Sequence, residues 1–480
     1  MTIFSGIYLI ILLRIICKSK TVKTLYVNIL VFTCILDIVF DRGTFIIGSH
    51  FINCASVTRL VLLILSVYIL YVSKKVNTNY TLLCVALGAI LFSGISYEVL
   101  VPYDREGIFD ITEWDGYVQG TIQPGRLEYF FSEGIKHLAS VFMMLLSLYV
   151  VKFYLTREQL LEAVKNIYTG GRILIYYGVT EFVIRNILQM PELPHTMMRA
   201  LLGDLPSNYY STPGLRGSFY MLLGFQAEPS QFVQQIFFVA VIGIILIKIY
   251  LNNNGTVEIP VRSIKVELCI CMILMLLSGG FSAVWYVFVI LVLMYYLFVK
   301  NKFSFSRKIN IKKGIVAMGA IVGVLIIAYS VFDDTSYLNA RLQQTMEVLD
   351  YLLSPTGLAA ISFYDSSLAR LVSVFDVASY CSDRPLIGFG IGAITAHDST
   401  FTMLADFGIL GILFWYKIVT CPVEKDVLYD YKFILIMILL SGLVVGSGRI
   451  FAFRIFAVVI FEATKLYMCV GKSVNKGEVI

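Results

Sequence analysis

Apolar runs of about 17–25 residues, long enough to cross a bilayer, recur along this chain, and short polar or basic stretches separate them. The runs lie at 2–17, 22–40, 57–73, 80–100, 135–153, 167–188, 230–250, 264–279, 282–299, 314–331, 399–418, 433–448 and 450–468. They lack the alternation of lipid-facing and lumen-facing residues that marks a membrane β-barrel. The pattern predicts an all-α polytopic membrane protein of roughly 12–13 transmembrane helices. Residues 1–480 read as a single integral membrane domain with no soluble domain of its own. The opening run, with Arg14 near its end and no small-residue cleavage site, reads as a retained span rather than a signal peptide.

Three polar segments interrupt the pattern, at 101–134, 189–229 and 332–399. Long loops in a compact protein are usually functional or disordered. The third carries Leu338, Leu342, Met346, Leu349 and Leu353 at helical spacing. That spacing predicts an amphipathic helix lying on the membrane surface or capping the bundle.

Composition agrees: 58% of residues are hydrophobic and only 15% charged, against about 25% charged in soluble domains. The net charge of +6 is not a nucleic-acid signal, because the basic residues cluster in short loops. These are Lys18 to Lys23, Lys74–Lys75, Lys152 to Lys165, Lys248 to Lys265, Lys300 to Lys313, Lys417 to Lys432 and the tail from Lys465. Placing them all in the cytoplasm makes the spans alternate and puts the three long loops outside. Of the nine cysteines, Cys54 and Cys381 both fall outside, so a disulfide between them is open to the chain, but sequence alone does not decide pairing.

The candidate chemistry lies in the outer segments. Gly214-Leu-Arg216-Gly-Ser-Phe219 is followed by Gln226-Ala-Glu228-Pro229-Ser230 at the start of a span. Proline suits a first helical turn, and a helix N-terminus presents N–H groups and a positive dipole end that attract phosphate. The plainer reading is that Glu228 and Ser230 cap the helix and Arg216 anchors topology. Arg370 sits on an otherwise apolar helical pattern, and Arg384 precedes Pro385. An arginine fork matches phosphate oxygens two at a time. His397, beside Asp398, has the side chain whose ordinary pKa suits a general base. Gly388-Phe-Gly390-Ile-Gly392 lacks the βαβ setting of a dinucleotide fingerprint. Its glycines predict a tight turn or close backbone approach to a lipid headgroup. Acidic groups within spans are few, namely Asp37, Glu181 and Glu267. Glu181 with Arg172 and Arg185 reads either as a proton relay or as paired charges at a span edge.

In this order, Arg216-Gly-Ser-Phe, Glu228-Pro-Ser, Ser278-Gly-Gly-Phe-Ser-Ala, Arg370, Pro385-Leu-Ile-Gly-Phe-Gly, Ala-His397-Asp and Gly408-Ile-Leu-Gly411 resemble the O-antigen polymerase and O-antigen ligase superfamily of bacterial membrane glycosyltransferases. The likeness covers roughly 165–420. It implies a GT-C-type membrane glycosyltransferase in the cytoplasmic membrane, with its site on the periplasmic or exterior face. It also implies an undecaprenyl-diphosphate-linked glycan donor, with no metal and no cofactor. Arg216 and Arg370 would hold the diphosphate, with Arg384 and Ser230 beside them, and His397 or Glu228 would take the acceptor proton. A flippase and a chain-length regulator would be partners. Phe281 stands where relatives often carry Ser-Arg, which counts against a basic contact at that turn. Asp398 stands where ligases carry asparagine, which favours a Wzy-type polymerase over a ligase. A flippase or transporter of lipid-linked oligosaccharide is the alternative from another class, and a purely structural subunit leaves the arginine and histidine cluster unexplained.

Overall fold

In a computed structural model the described residues are 2–40, 44–47, 50–73, 77–100, 135–202, 215–216, 219–226, 229–278, 281–299, 378, 381–390, 399–420, 425–441 and 455–467. The architecture is helical. In chain order the helices are α1 (Ile3–Lys18), α2 (Val22–Val39), α3 (Cys54–Ser73), α4 (Thr78–Leu100), α5 (Ile135–Tyr154), α6 (Arg157–Phe182) and α7 (Leu193–Leu202). They continue as α8 (Pro229–Asn252), α9 (Val261–Leu277), α10 (Phe281–Met294), α11 (Ser399–Thr420), α12 (Lys425–Ser441) and α13 (Ile455–Ala463). Two small hairpins pair β1 (Thr44–Ile47) with β2 (His50–Asn53), and β3 (Leu215–Arg216) with β4 (Phe219–Tyr220).

Four helices are long and apolar enough to cross a membrane: α2, α3, α8 and the Thr400–Thr420 part of α11. Shorter apolar stretches lie in Thr78–Gly94, Leu138–Tyr154 and Ala283–Phe298. This is the make-up of an all-α membrane protein. Predicted runs and helices coincide from the first to the ninth, with shifted ends. The span expected at 167–188 starts ten residues earlier, at Arg157, where Thr156 and Gln159 form a reciprocal capping box. Hydrogen bonds from the first turn and from Thr156 also hold the Glu158 carboxyl below the usual carboxylate range. The run expected at 433–448 begins at Lys425 and is helical to Ser441. The runs at 314–331 and the amphipathic pattern at 338–353 lie outside the described residues.

The core is organised around α8, whose apolar window is wholly buried. A helix apolar on all sides has to be surrounded by others, and α8 packs on α6, α9 and α10. Close approach on α6 comes from missing side chains. A Cβ on Gly171 would lie 2.9 Å from Val239, and one on Gly178 2.9 Å from Phe232, both on α8. α6 packs on α2 as well, and α4 packs on α11.

Inter-helix polar bonds sort the helix ends into two groups. In one, the Lys152 ammonium donates to the Val419 carbonyl at 2.6 Å and pairs with Glu462 at 3.3 Å, joining the ends of α5, α11 and α13. Lys248 donates to the Leu297 carbonyl at 2.7 Å, and Tyr80 to that of Leu145 at 3.0 Å. In the other group, Thr400 donates to the Leu439 carbonyl at 3.0 Å, and Arg59 pairs with Asp37. Apart from the Tyr80 bond, whose acceptor lies mid-way along α5, each of these bonds joins two ends that loop charge assigns to the same side. Buried charges of this kind persist only when paired or bonded to carbonyls.

Helix α11 is broken at Gly408, which has φ 63° and ψ −175°, a conformation essentially restricted to glycine. The turn Pro385–Gly390 inserts at the break. The Phe389 amide donates to the Ala405 carbonyl (2.7 Å), while the Ile409 and Leu410 amides donate to the Pro385 and Leu386 carbonyls (2.8 and 3.1 Å). Gly388 and Gly390 have φ of 66° and 87°. A Cβ at Gly388 would sit 2.3 Å from the Ala405 carbonyl, and one at Gly94 of α4 2.8 Å from the Gly390 nitrogen. Gly388 and Gly390 make the tight turn that is one of the two roles predicted for this glycine string, whose Gly392 lies outside the described residues. Its described glycines, Gly388 and Gly390, approach the protein's own α11 and α4. Cys54 and Cys381 do not form the disulfide that the sequence leaves open. Both are free and buried, and burial pushes the Cys381 thiol up to about 12.

Gly408→Ala places a Cβ 2.4 Å from the Leu386 carbonyl, and the backbone conformation alone costs about 1–3 kcal/mol without glycine. We expect a clearly lowered melting temperature in detergent. The control is Gly88→Ala in α4, whose Cβ would meet nothing within 4 Å and which should be neutral or slightly stabilising. Equal melting of the two variants would show that the break is not needed.

Candidate functional site

The described part of the candidate site is built on the end of α6. There the helix widens into a π turn over Val183–Ile187. The extra residue per turn brings Glu181, Arg185 and Asn186 to bear on the same stretch of chain. Gln189, at φ 55°, then turns the backbone away, and its side-chain Nε2 donates to the Asn186 carbonyl at 2.7 Å.

Glu181 is 1% exposed and Arg185 2%. They form an ion pair at 2.8 Å, four residues apart. Glu181 also accepts the Leu223 amide at 3.2 Å and the Gly224 amide at 2.8 Å. Arg185 donates in turn to the Pro191 carbonyl at 2.5 Å. Asn186 brackets Tyr220, accepting its amide at 2.6 Å and donating to its carbonyl at 3.3 Å. One turn of α6 therefore grips the polar segment at its beginning, Pro191, and at its return, Tyr220 to Gly224. The Tyr177 ring stacks on Phe225 at 4.1 Å, and Phe225 meets Phe40 at 4.9 Å, closing the return against α6 and α2.

This grip holds the β3–β4 hairpin, in which Arg216 pairs with Phe219 and Leu215 with Tyr220. Arg216 thus lies on the strand paired with the one that Asn186 holds. Five residues beyond Gly224, Pro229 opens α8, as predicted, and Ser230 is half-buried in its first turn. Arg384 is half-buried at the start of the glycine turn. Its guanidinium lies over the Phe389 ring at 4.9 Å, and its carbonyl accepts the Gly388 amide at 3.1 Å. The structure therefore ties Arg216 and Ser230 to one end of α6 and Arg384 to the break in α11. The side chain of Arg216 and residues Glu228, Arg370 and His397 lie outside what is described.

The relay expected of Glu181, Arg172 and Arg185 divides in two. Arg185 belongs with Glu181. Arg172 pairs instead with Glu267 of α9, on which Tyr168, Tyr176 and Ser263 also converge, with hydroxyls at 2.7, 3.1 and 2.9 Å. The sequence carried the Glu181/Arg185 spacing, but it held no sign of the π turn or of Asn186 clasping Tyr220.

No protein-family model, curated protein or solved structure matches the chain.

Removing one member of a buried ion pair strands the other, at a cost of about 3–5 kcal/mol, whereas replacing both by apolar residues recovers much of it. Glu181→Ala and Arg185→Ala should each lower the detergent melting temperature strongly, and the double variant Glu181→Leu/Arg185→Met should recover the part due to the stranded charge, but not the part due to the Leu223 and Gly224 amides left without their acceptor. A double variant as unstable as either single would exclude the ion pair as the element that matters.

Proposed function

We propose that the chain is a Wzy-type polysaccharide polymerase with a GT-C-type architecture. It transfers an undecaprenyl-diphosphate-linked glycan onto the next lipid-linked repeat unit at the outer face of a bacterial cytoplasmic membrane. The observation that carries this reading is the grip of Glu181 and Asn186 on the 220–224 return, with Arg185 paired to Glu181 behind it. It holds the Arg216 hairpin and the opening turn of α8 as the two ends of one pinned segment, where a lipid diphosphate needs cationic and N–H donors.

The chemistry follows from the leaving group. A diphosphate departs without a general acid, provided that fixed positive charge stabilises it as the bond breaks. Arg216 and Arg370 fill that role, with Arg384 and Ser230 beside them. The acceptor hydroxyl attacks the anomeric carbon and gives its proton to His397 or Glu228. A single direct displacement inverts the anomeric configuration.

The break at Gly408 favours a second reading. Broken helices line substrate sites in transporters, although the buried charge beside this one, Asp406, is acidic, where a flippase of lipid-linked diphosphate would need cationic residues deep within its spans. The polymerase is preferred because the inserted turn takes up the amides and carbonyls freed at the break. A ligase that moves finished polymer to another acceptor shares the site chemistry and differs in product.

The test is a gel profile of surface polysaccharide in a deletion strain complemented with wild type, Arg216→Lys, Arg370→Lys or His397→Ala. We expect single repeat units on the surface of the deletion strain and failure of all three variants to restore length, because lysine keeps the charge and loses the fork. Full-length polymer from both lysine variants would refute the diphosphate site. Long polymer left on its lipid carrier would identify a ligase, and repeat units trapped inside would identify a flippase.

A further inference from the structure

The stretch that leaves α6 divides its surroundings into three. At ~100° per residue, α7 turns Pro194, His195 and Met198 inward. These are buried, and the helix packs on α1 and on the π turn. A second edge, at Glu192 and Thr196, is polar and exposed, with the Thr196 amide and hydroxyl both bonded to the Glu192 carbonyl at 2.9 and 3.1 Å. The third face carries Leu193, Met197 and Ala200, which span about 60° of arc. Here Leu193 is 41% exposed and Met197 52%.

That apolar face is not isolated. Ile187, Leu188 and Met190, just before α7, are 62%, 55% and 51% exposed. They continue the outward stripe of α6, where Ile173 and Tyr176 are exposed and the Thr180 hydroxyl turns back onto the Tyr176 carbonyl at 2.9 Å. The exposed apolar surface therefore runs on from the flank of α6, through the turn, onto α7. A helix with one face on protein, one polar edge and one apolar face in line with a span has the pattern of an interfacial helix. In water, five large apolar side chains so close together would form a patch of the kind that marks an interaction site.

We propose that Ile187, Leu188, Met190, Leu193 and Met197 are inserted in the lipid leaflet at this end of the bundle, so that 187–202 is a membrane-embedded anchor and not a water-exposed loop. The occupant of the surface is the acyl region of the bilayer lipid around the protein. The continuity of the α6 stripe selects lipid over a protein partner, because a partner covering α7 alone would leave the adjoining stripe in lipid. Arg185, bonded to Pro191 at the foot of this anchor, then ties the candidate site to the membrane surface. The inference does not rest on the glycan reading.

The test places the photoreactive residue p-benzoylphenylalanine at Leu193, Met197, Glu192 or Ile64 of the full chain. Each protein is reconstituted in vesicles of phosphatidylethanolamine and phosphatidylglycerol and irradiated. Intact protein is then weighed by mass spectrometry. Ile64 lies on α3, a candidate span, is 60% exposed and reports lipid contact. All four positions are exposed, so folding should survive, and gel filtration checks it. We expect lipid adducts at 193 and 197 at the yield seen at 64, and loss of adducts at 192. Adducts at 64 but not at 193 and 197 would overturn the proposal, as would cross-linking of 193 and 197 to a second protein in native membranes. Failure of the polysaccharide assay would leave this result untouched.

Discussion

Inside hydrocarbon there is no water to satisfy a backbone amide or a charge, and nearly every distinctive feature of this protein answers that constraint. The break in α11 shows it most directly. Gly408 frees carbonyls before it and amides after it, and the Pro385–Gly390 turn supplies the missing partners on both sides. Three backbones meet there, from α4, the turn and α11, and they meet at Gly94, Gly388 and Gly408 because any Cβ would collide with a neighbouring main chain. The buried lysines obey the same rule, Lys152 through Glu462 and the Val419 carbonyl, Lys248 through the Leu297 carbonyl.

The end of α6 applies the constraint to a loop. A polar segment returning to the bundle brings amides that need acceptors, and Glu181 accepts two of them while Arg185 keeps its charge balanced. A carboxylate buried this fully is tolerated because every donor aimed at it is in place. The same arrangement couples the candidate site to the core. The Arg216 hairpin, the 220–226 return and the start of α8 cannot shift independently of α6, and α6 is locked to α8 through Gly171 and Gly178. Rigid support of this kind is what a displacement at a diphosphate would require, since electrostatic stabilisation depends on groups already in position.

Much of the helical layout was legible along the chain. Apolar runs predicted α1 to α6 and α8 to α10 in order, because span length is set by bilayer thickness and hydropathy reads it directly. Pro229 marked the start of α8, and Thr156 with Gln159 held the capping signal that moves the start of α6 outward. Of the candidate site, the sequence offered residue types and order: Arg216 before Glu228-Pro-Ser, Arg384 before a glycine turn. It also suggested Glu181, Arg172 and Arg185 as one group, and there it misled. Residues 172 and 181 lie more than two helical turns apart, and only packing decides that Arg172 meets α9 while Glu181 meets the returning loop.

By itself, then, the sequence determined that this is a helical chain made for a bilayer, where most of its described helices run, and which polar residues interrupt them. Those properties are local: apolar length, capping residues and loop charge act over a few turns. Tertiary structure alone decided that α11 breaks at Gly408, that α6 ends in a π turn, and that Asn186 clasps Tyr220. It also decided that Cys54 and Cys381 remain free thiols. Each of these depends on a partner distant along the chain, 18 residues or more from Gly408 to the turn and 34 from Asn186 to Tyr220. Spacing along the chain does not encode which two distant backbones will meet when water is excluded.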